Sequence, residues 1–227
     1  VSAVVAGAAL LPPRPPPPTG ATARGITLRG LLKLEGTLKQ LVADGFFKKT
    51  EVTPPYNLTD EIITDYEELT TTSVVYNWIK LASVTGTDRL ADCAVIIDPS
   101  DIGHPLYFVS HAWKARFAKL VRAVKKHLRN ASDDTCVWID CFAVNQHRDT
   151  MPAVNQADVA SFEATVQQCR GGTIVAVDYD IIQPETRGWP LYEWEKSVLY
   201  HGFEKLFMTG VTPEDRAGMV ANMDIAN

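Results

Sequence analysis

The sequence has few cysteines, and they are not arranged for a metal site or for disulfide bonds. The four cysteines lie far apart, with no Cys-x-x-Cys pair and no histidines at zinc-ligand spacing: Cys93, Cys136, Cys141 and Cys169. This arrangement disfavours a structural zinc site and a disulfide framework, and it is typical of a reducing compartment. We therefore expect a cytoplasmic protein in which Cys136 and Cys141 pack as small apolar side chains.

The sequence also lacks a long apolar run and an excess of basic residues. No run approaches the ~20 apolar residues that a membrane-spanning helix needs, so we expect no membrane span. The net charge of −5 gives no reason to expect nucleic acid as a partner. No internal repeat is visible, and the 227 residues are enough for one large domain with an extension.

The N-terminal stretch combines an apolar start with a proline-rich segment. Residues 1–11 are apolar but short, and they are either the remnant of a targeting segment or an interior stretch. The missing methionine and the abrupt end at Asn227 indicate a piece of a longer protein. The prolines of residues 12–18 cannot join a helix or a sheet interior, which predicts a disordered linker over residues 1–25. Recognition by an SH3- or WW-type partner is the alternative.

The next part of the chain, residues 26–100, is predicted to form a helical layer. Apolar residues recur at close to helical spacing over residues 26–47, which indicates an amphipathic helix that ends near Gly45. Residues 59–78 mix acidic and apolar side chains and indicate one or two further helices. Residues 70–73 are expected to form a loop or a helix cap.

Strands and helices alternate from residue 105 onward, which predicts an α/β domain over residues 101–227. The predicted strands cover residues 106–110, 136–140, 173–178 and 205–208, and the predicted helices cover residues 115–129, 159–169, 189–203 and 213–223. This alternation implies a parallel sheet with right-handed crossovers. The predicted fold class is α/β, an open flavodoxin-like parallel sheet with an N-terminal helical extension.

Polar residues follow the first predicted strand, at the edge where a parallel sheet binds its ligands. These residues are Ser110, His111 and Trp113. A Ser-His pair is weak evidence for nucleophilic catalysis, because a triad is defined by geometry and not by adjacency. In the structural alternative, Ser110 caps the next helix and Trp113 packs on the edge of the sheet.

A second polar cluster follows the second predicted strand. Asp140 ends that strand, and Asn145 and Gln146 come shortly after it. Their side chains either hydrogen-bond a sugar or an amide, or they hold down a long loop. The connection over residues 144–158 is longer than the ~2–6 residues usual between a strand and a helix, which favours a binding loop.

A single carboxyl group, Glu193, lies in the first turns of a predicted helix between Trp189 and Trp194. Pro190 is tolerated there because the first turn of a helix needs no backbone donor. In one alternative, Glu193 caps the helix and its charge interacts favourably with the helix dipole. In the other, it is a partly buried carboxyl group whose pKa is tuned for acid–base chemistry. Spacing alone favours the structural alternative.

These segments together resemble a known superfamily. Leu106–Trp113 resembles the first strand of TIR (Toll/interleukin receptor) domains, and Trp138-Ile139-Asp140 with Asn145-Gln146 is similar to a signature of fungal heterokaryon-incompatibility (HET) domains. Arg187, Trp189, Leu191 and Glu193 are similar to the Arg-x-Trp-x-x-x-Glu element of HET domains and to the Trp-Cys-Leu-x-Glu element of plant TIR domains. Pro190 stands where the plant element has cysteine. The resemblance covers about residues 105–210.

The resemblance implies a TIR-like fold, self-association with further copies or with other TIR-like domains, and in some members cleavage of the nicotinamide–ribose bond of NAD. By carry-over, Glu193 would be the catalytic glutamate, and residues 141–154 would form the mobile loop beside the nucleotide. NAD would be a substrate, and no cofactor is expected. The implied substrate-binding residues are Ser110, His111, Trp113, Asp140, Asn145, Gln146, Arg187 and Trp189.

Three functions remain open at this point. The first is a TIR/HET-like module that signals or scaffolds by self-association. The second is an NAD glycohydrolase that uses Glu193, and the third is a nucleotide-binding domain without catalysis. Membership of such a superfamily does not by itself establish an active site.

Overall fold

The structure, a computed structural model, describes residues 20–51, 55–83, 89–180 and 188–208. In chain order, the strands are β1 (Gly25–Thr27), β2 (Lys48–Thr50), β3 (Leu58–Ile62), β4 (Ile102–Gly103), β5 (Tyr107–His111), β6 (Cys136–Trp138), β7 (Gly172–Ala176) and β8 (Leu206–Met208). The helices are α1 (Leu28–Ala43), α2 (Thr71–Val74), α3 (Lys80–Ala82), α4 (Phe117–His127), α5 (Asp140–Ala143), α6 (Pro152–Ala160), α7 (Phe162–Gln168) and α8 (Gly188–His201). A π-helical turn, Val75–Ile79, joins α2 to α3.

Six of these strands form one sheet in the order β4-β1-β6-β5-β7-β8. Strands β6, β5, β7 and β8 are parallel, whereas β1 is antiparallel to both β6 and β4. Strands β2 and β3 pair with each other as an antiparallel hairpin. The central sheet is therefore mostly parallel, and the predicted α/β class is confirmed.

The connections between the parallel strands create a reversal beside β5. From β5 the chain passes through α4 to β6 on one side, and then through α5, α6 and α7 to β7 on the other side of β5. Helix α8 then leads from the β7 side of the sheet to β8. A reversal of this kind opens a crevice at the carboxyl ends of the strands, where open α/β sheets bind ligands.

Helices cover both faces of the sheet, because successive residues of a strand point to opposite faces. On one face, α1 and α4 bury a core that includes Val109, Val137 and Ile174. On the other face, α7 and α8 pack over Phe108, Trp138 and Val175. Ser110, two residues after Phe108, points to the same face as Phe108, so it lies beneath α8 and not beneath α4.

The elements predicted after residue 105 are present within the described residues, with shifts at their ends. The four predicted strands correspond to β5, β6, β7 and β8, and the predicted helices at 115–129 and 189–203 correspond to α4 and α8. The helix predicted at 159–169 was wrong in its extent, because two helices, α6 and α7, meet at Ser161. The Ser161 hydroxyl donates to the Asp158 carbonyl at 2.6 Å, which ends α6 at that point.

The helix predicted over residues 26–47 was wrong at its start, because Ile26 and Thr27 belong to β1. Ile26 pairs with Val137 of β6 and with Ile102 of β4. The Thr27 side chain then accepts a hydrogen bond from the Gly30 backbone N–H at 2.9 Å and caps α1. A three-residue strand is too short to show a period of two, so an apolar residue there fits the helical pattern equally well.

Residues 59–78 also differ from the helices expected for them. Their first part forms β3 of the hairpin, and helix begins only at Thr71, capped by the Thr70 side chain, which accepts from the Ser73 N–H at 3.1 Å. The segment predicted as a helical layer therefore also supplies strands. Most of the predicted linker, residue Arg187 and the helix predicted at 213–223 lie outside the described residues. Of the helices that the structure describes, none has the length and apolar character needed to cross a membrane.

Candidate active site

A cavity of about 290 Å³ lies at the carboxyl ends of β5 and β6, beneath the first turn of α8. Its volume is close to the lower end of the ~300–1,000 Å³ range typical of small-molecule sites. The wall is mostly apolar and aromatic, with a few polar groups among them: Tyr56, His111, Ala112, Trp113, Asp140, Val144, Gln146, Asn155, Val159, Phe162, Trp189 and Pro190. An apolar cavity with a few convergent polar groups is the usual form of a ligand site.

Several residues singled out in the sequence meet at this cavity. The wall contains His111, Trp113, Asp140, Gln146 and Trp189. They come from three separate segments of the chain, which the carboxyl ends of the parallel strands bring together. Three other predicted site residues, Ser110, Asn145 and Glu193, lie behind this wall.

The Asp140 carboxylate has a fixed orientation in the wall. The indole N–H of Trp113 donates to Oδ2 at 2.7 Å, and the backbone N–H of Cys141 donates to Oδ1 at 2.6 Å. Trp113 therefore does more than pack on the sheet edge, which was its structural alternative. Two donors hold one carboxylate at the cavity, which positions its negative charge for a ligand.

His111 faces this carboxylate from the end of β5. Its Nε2 lies 3.6 Å from Asp140 Oδ1 and makes no hydrogen bond to a described residue. Burial lowers the pKa of the His111 imidazole, whereas the nearby charge of Asp140 and a hydrogen bond to the Val109 backbone act in the opposite direction. Burial therefore favours the neutral form of the ring.

Glu193 lies one layer behind the cavity wall and is only 3% exposed. Ser110 donates a hydrogen bond to its Oε2 at 2.5 Å, and the Trp194 indole donates to the Ser110 hydroxyl at 3.0 Å. Burial raises the pKa of Glu193 well above its usual range, and the charge of Asp140 raises it further, whereas the hydrogen bonds from Ser110 and Trp189 lower it. Burial therefore favours the protonated, neutral form of Glu193.

The first turn of α8 explains how Trp189 reaches the cavity. Pro190 occupies a first-turn position, where its missing N–H costs no helix hydrogen bond. Trp189 then packs edge-to-face on Phe162, with ring centroids 4.9 Å apart, and is stacked with Tyr192 at 5.7 Å. Trp189 is thus part of the cavity wall and a hydrogen-bond partner of Glu193.

Asn145 holds the loop after β6 in place and does not line the cavity. Its backbone N–H donates to Asp158 at 2.8 Å, its side-chain oxygen accepts from the His147 N–H at 2.8 Å, and its carbonyl accepts from Asn155 at 2.6 Å. Gln146, in contrast, lines the cavity while its amide donates to the Asp140 carbonyl at 3.2 Å. Both residues therefore hold the loop in place, and Gln146 also lines the cavity.

Other wall residues were not found from the sequence. Tyr56 reaches the cavity from the N-terminal part of the chain, and Asn155, Val159 and Phe162 reach it from α6 and α7. No motif or spacing marks Tyr56. The apolar residues Val159 and Phe162 fit the helical pattern predicted for their segment, but that pattern does not tell which face meets a cavity.

His111, Asp140 and Cys141 form a group whose ligand atoms all lie within 4.8 Å of one another. A metal ion would need the Cys141 thiolate, but burial raises the pKa of that thiol well above its usual range. The Asp140 oxygens are also engaged by Trp113 and by the Cys141 backbone. These two features favour a protonated thiol packed in the core over a metal ligand.

The buried acid at Glu193 gives stability a dependence on pH. In the unfolded chain a glutamate releases its proton near pH of about 4.3, whereas the folded protein keeps it to higher pH. As the pH rises from the pKa of Glu193 in the unfolded chain to its higher pKa in the folded protein, Glu193 should lower the free energy of unfolding by up to about 1.4 kcal/mol per pH unit. Glu193→Gln removes this contribution. In urea unfolding experiments, the free energy of unfolding of the variant should therefore increase relative to that of the wild type as the pH rises. A stability difference that stays constant with pH would contradict a buried neutral acid.

The fold and the cavity together define an α/β protein with a ligand-sized site at the carboxyl ends of a mostly parallel sheet. Comparisons of the chain with family models, with curated proteins and with solved structures found no match. The function is therefore inferred from the geometry of the site and from the short sequence motifs whose residues line it.

Proposed function

We propose that this chain binds NAD in the cavity at the carboxyl ends of β5 and β6 and hydrolyses its nicotinamide–ribose bond. The observation that carries this proposal is the pair of carboxyl groups, Asp140 in the wall and Glu193 directly behind it, beneath an aromatic cover. The two groups are close enough for the charge of Asp140 to raise the pKa of Glu193. A buried carboxyl group with a raised pKa in a cleft, beside a second carboxyl group, is a candidate for a functional site.

The reaction breaks the bond between the nicotinamide nitrogen and C1′ of the ribose. The electron pair of that bond goes to the nicotinamide ring, which leaves as a neutral molecule, and C1′ becomes an oxocarbenium-like centre. Water then adds its oxygen to C1′ and releases a proton, which yields ADP-ribose. A negative charge beside C1′ accelerates this reaction because the positive charge on the sugar is larger in the transition state than in the substrate.

The site residues take distinct parts in this reaction. The Asp140 carboxylate, held by Trp113, faces the sugar, and His111, which lies beside this carboxylate, accepts the proton that the attacking water releases. The pyridinium ring of NAD is itself cationic, so its arrival lowers the pKa of Glu193 and favours the carboxylate form. Glu193 then adds a second negative charge near the reacting centre.

The aromatic part of the wall suits a nicotinamide ring. Trp189 and Phe162 present ring surfaces that meet edge-to-face, and Trp113 closes the polar side of the cavity. Flat aromatic faces bind a planar cationic ring by stacking and by cation–π attraction. Their apolar surfaces also lower the local dielectric constant, which strengthens the effect of the carboxyl charges.

The order of the parallel strands supports a flavodoxin-like, TIR-like fold for this site. Along the sheet the parallel strands follow the order second, first, third, fourth, which is how the flavodoxin-like order begins. The sequence resemblance to TIR and HET domains covers the same segments that line the cavity. The strand order and the sequence motifs therefore both support the proposed TIR-like class.

Nicotinamide release tests the proposed reaction. The purified chain is incubated with NAD over a series of protein concentrations, and nicotinamide and ADP-ribose are separated by chromatography. We expect equal amounts of both products, and no release from Asp140→Asn, which keeps the shape of the side chain and removes its charge. NAD binding without release would instead identify a nucleotide-binding domain that lacks catalysis.

Self-association is the second candidate function, as a TIR/HET-like signalling or scaffolding module. Helix α8 carries Leu199, which is 65% exposed, on the same element that supplies Glu193. In this candidate function, Leu199 would contact a second copy or another TIR-like domain. Sedimentation velocity should show concentration-dependent association that Leu199→Glu abolishes. A wild-type protein that stays monomeric at all concentrations would count against this candidate.

A further inference from the structure

A second cavity, of about 500 Å³, adjoins the first. Tyr56, Trp113, Gln146 and Asn155 line both cavities, so the two cavities are direct neighbours. The outer cavity differs from the inner one in the source of its walls, which come from the N-terminal segment and from the loop after β6. Its other lining residues are Pro55, Val75, Tyr76, Lys80, Arg148 and Asp149.

The outer cavity carries two cationic side chains, Lys80 and Arg148. The Lys80 ammonium group lies over the Tyr76 ring, 4.9 Å from its centroid. The Arg148 side chain is 80% exposed, and its Nε lies 3.8 Å from an oxygen of Asp149, whose side chain is 78% exposed. Such an exposed and long ion pair holds the guanidinium weakly, so Arg148 is free to turn toward an anion.

Two tyrosines, Tyr56 and Tyr76, line the outer cavity, and Tyr56 lines the inner cavity as well. Tyr56 has a positive φ of 59°, which is unusual for a non-glycine residue. Its ring packs on that of Tyr76, with centroids 5.4 Å apart and a tilt of 45°. A non-glycine residue in this backbone region costs about 1–3 kcal/mol, and such residues cluster at active sites and ligand sites.

We infer that the outer cavity is the subsite for the diphosphate and the adenosine half of a dinucleotide, while the inner cavity takes the nicotinamide riboside half. This inference rests on the proposed function for the inner cavity. Lys80 and Arg148 meet the diphosphate, and the Tyr56 and Tyr76 rings offer stacking surfaces for the adenine. The N-terminal segment thereby makes the site specific for a dinucleotide over a mononucleotide.

Calorimetric titration with two fragments of NAD tests this subsite. The probes are ADP-ribose, which carries the diphosphate and adenosine, and nicotinamide riboside, which carries neither. The double variant Lys80→Ala/Arg148→Ala should weaken ADP-ribose binding at least about 10-fold and change the affinity for nicotinamide riboside by less than about two-fold. The matched control is Lys126→Ala/Arg129→Ala, which removes two exposed cations at the end of α4 and should leave both affinities unchanged.

The outcomes separate this inference from the proposed reaction. ADP-ribose binding that is equal in the wild type and the Lys80/Arg148 double variant, or absent from the wild type, would overturn the subsite. An equal loss for both probes would overturn it as well, since the cations would then act on the inner cavity. ADP-ribose binding that depends on Lys80 and Arg148, without any nicotinamide release from NAD, would support the subsite and contradict the hydrolase.

Discussion

Glu193→Gln is expected to lower kcat/KM for NAD hydrolysis by at least about 100-fold, the size of effect seen when one preorganised charge-stabilising group is removed. Glutamine keeps the shape of the side chain and can still accept the hydrogen bond from Ser110. It cannot ionise when the cationic ring arrives. The same substitution should stabilise the protein at neutral pH, because it removes a buried group that favours ionisation in the unfolded state. The measurements are initial rates of nicotinamide release and urea unfolding on the same preparation.

The matched control is Glu195→Gln, two residues further along the same helix. Glu195 is exposed, so its loss should change neither the rate nor the stability appreciably. If Glu193→Gln kept the wild-type rate, Glu193 would be a structural residue of the buried cluster with Ser110 and Trp194. The structural alternative derived from the sequence would then hold, and Asp140 alone would carry the charge.

Arg89→Met is expected to lower the free energy of unfolding by about 3–5 kcal/mol, because it leaves a buried carboxylate without its partner. Arg89 and Asp158 form a two-bond ion pair at 2.7 Å and 2.8 Å, with side chains only 13% and 4% exposed. Asp158 also accepts the backbone N–H of Asn145, so the pair fixes the loop that carries Gln146. Chemical denaturation measures the loss directly.

The chain offers a control with the same geometry at the surface. Arg122 and Glu67 form an equivalent two-bond pair at 2.7 Å and 2.8 Å, but their side chains are 49% and 50% exposed. Arg122→Met should therefore cost below about 1 kcal/mol, since water screens an exposed pair. Equal losses for the two substitutions would show that burial does not set the strength of the Arg89 pair.

The sequence predicts the strands of the parallel sheet well because each is an apolar run bounded by polar residues. Strands β5, β6 and β7 are buried on both faces, so they show as continuous apolar segments. Strand β1 was missed because its residues also fit the helix that follows it directly. The hairpin of β2 and β3 was missed for another reason, since its residues are largely exposed and show no apolar alternation.

The site was predicted in part, through the rule that strand ends meet at one edge of the sheet. That rule places His111 and Asp140 together, and the structure brings Trp113, Gln146 and Trp189 to the same cavity. The burial of Glu193 could not be predicted, because it depends on Ser110, which lies 83 residues earlier in the chain. Tyr56 could not be predicted either, since its place depends on how the N-terminal segment packs against the loop after β6.

The occupancy of the inner cavity by NAD is tested most directly by the tryptophan indole N–H resonances in heteronuclear NMR spectra. The chain has five tryptophans, and only some of them touch the cleft, so each signal reports a place in the fold. Titration with NAD should shift the signals of Trp113 and Trp189, which line the cavity. The signal of Trp138, whose buried indole donates to the Ala21 carbonyl at 2.8 Å, should stay in place. Unchanged Trp113 and Trp189 signals at saturating NAD would contradict the proposed site.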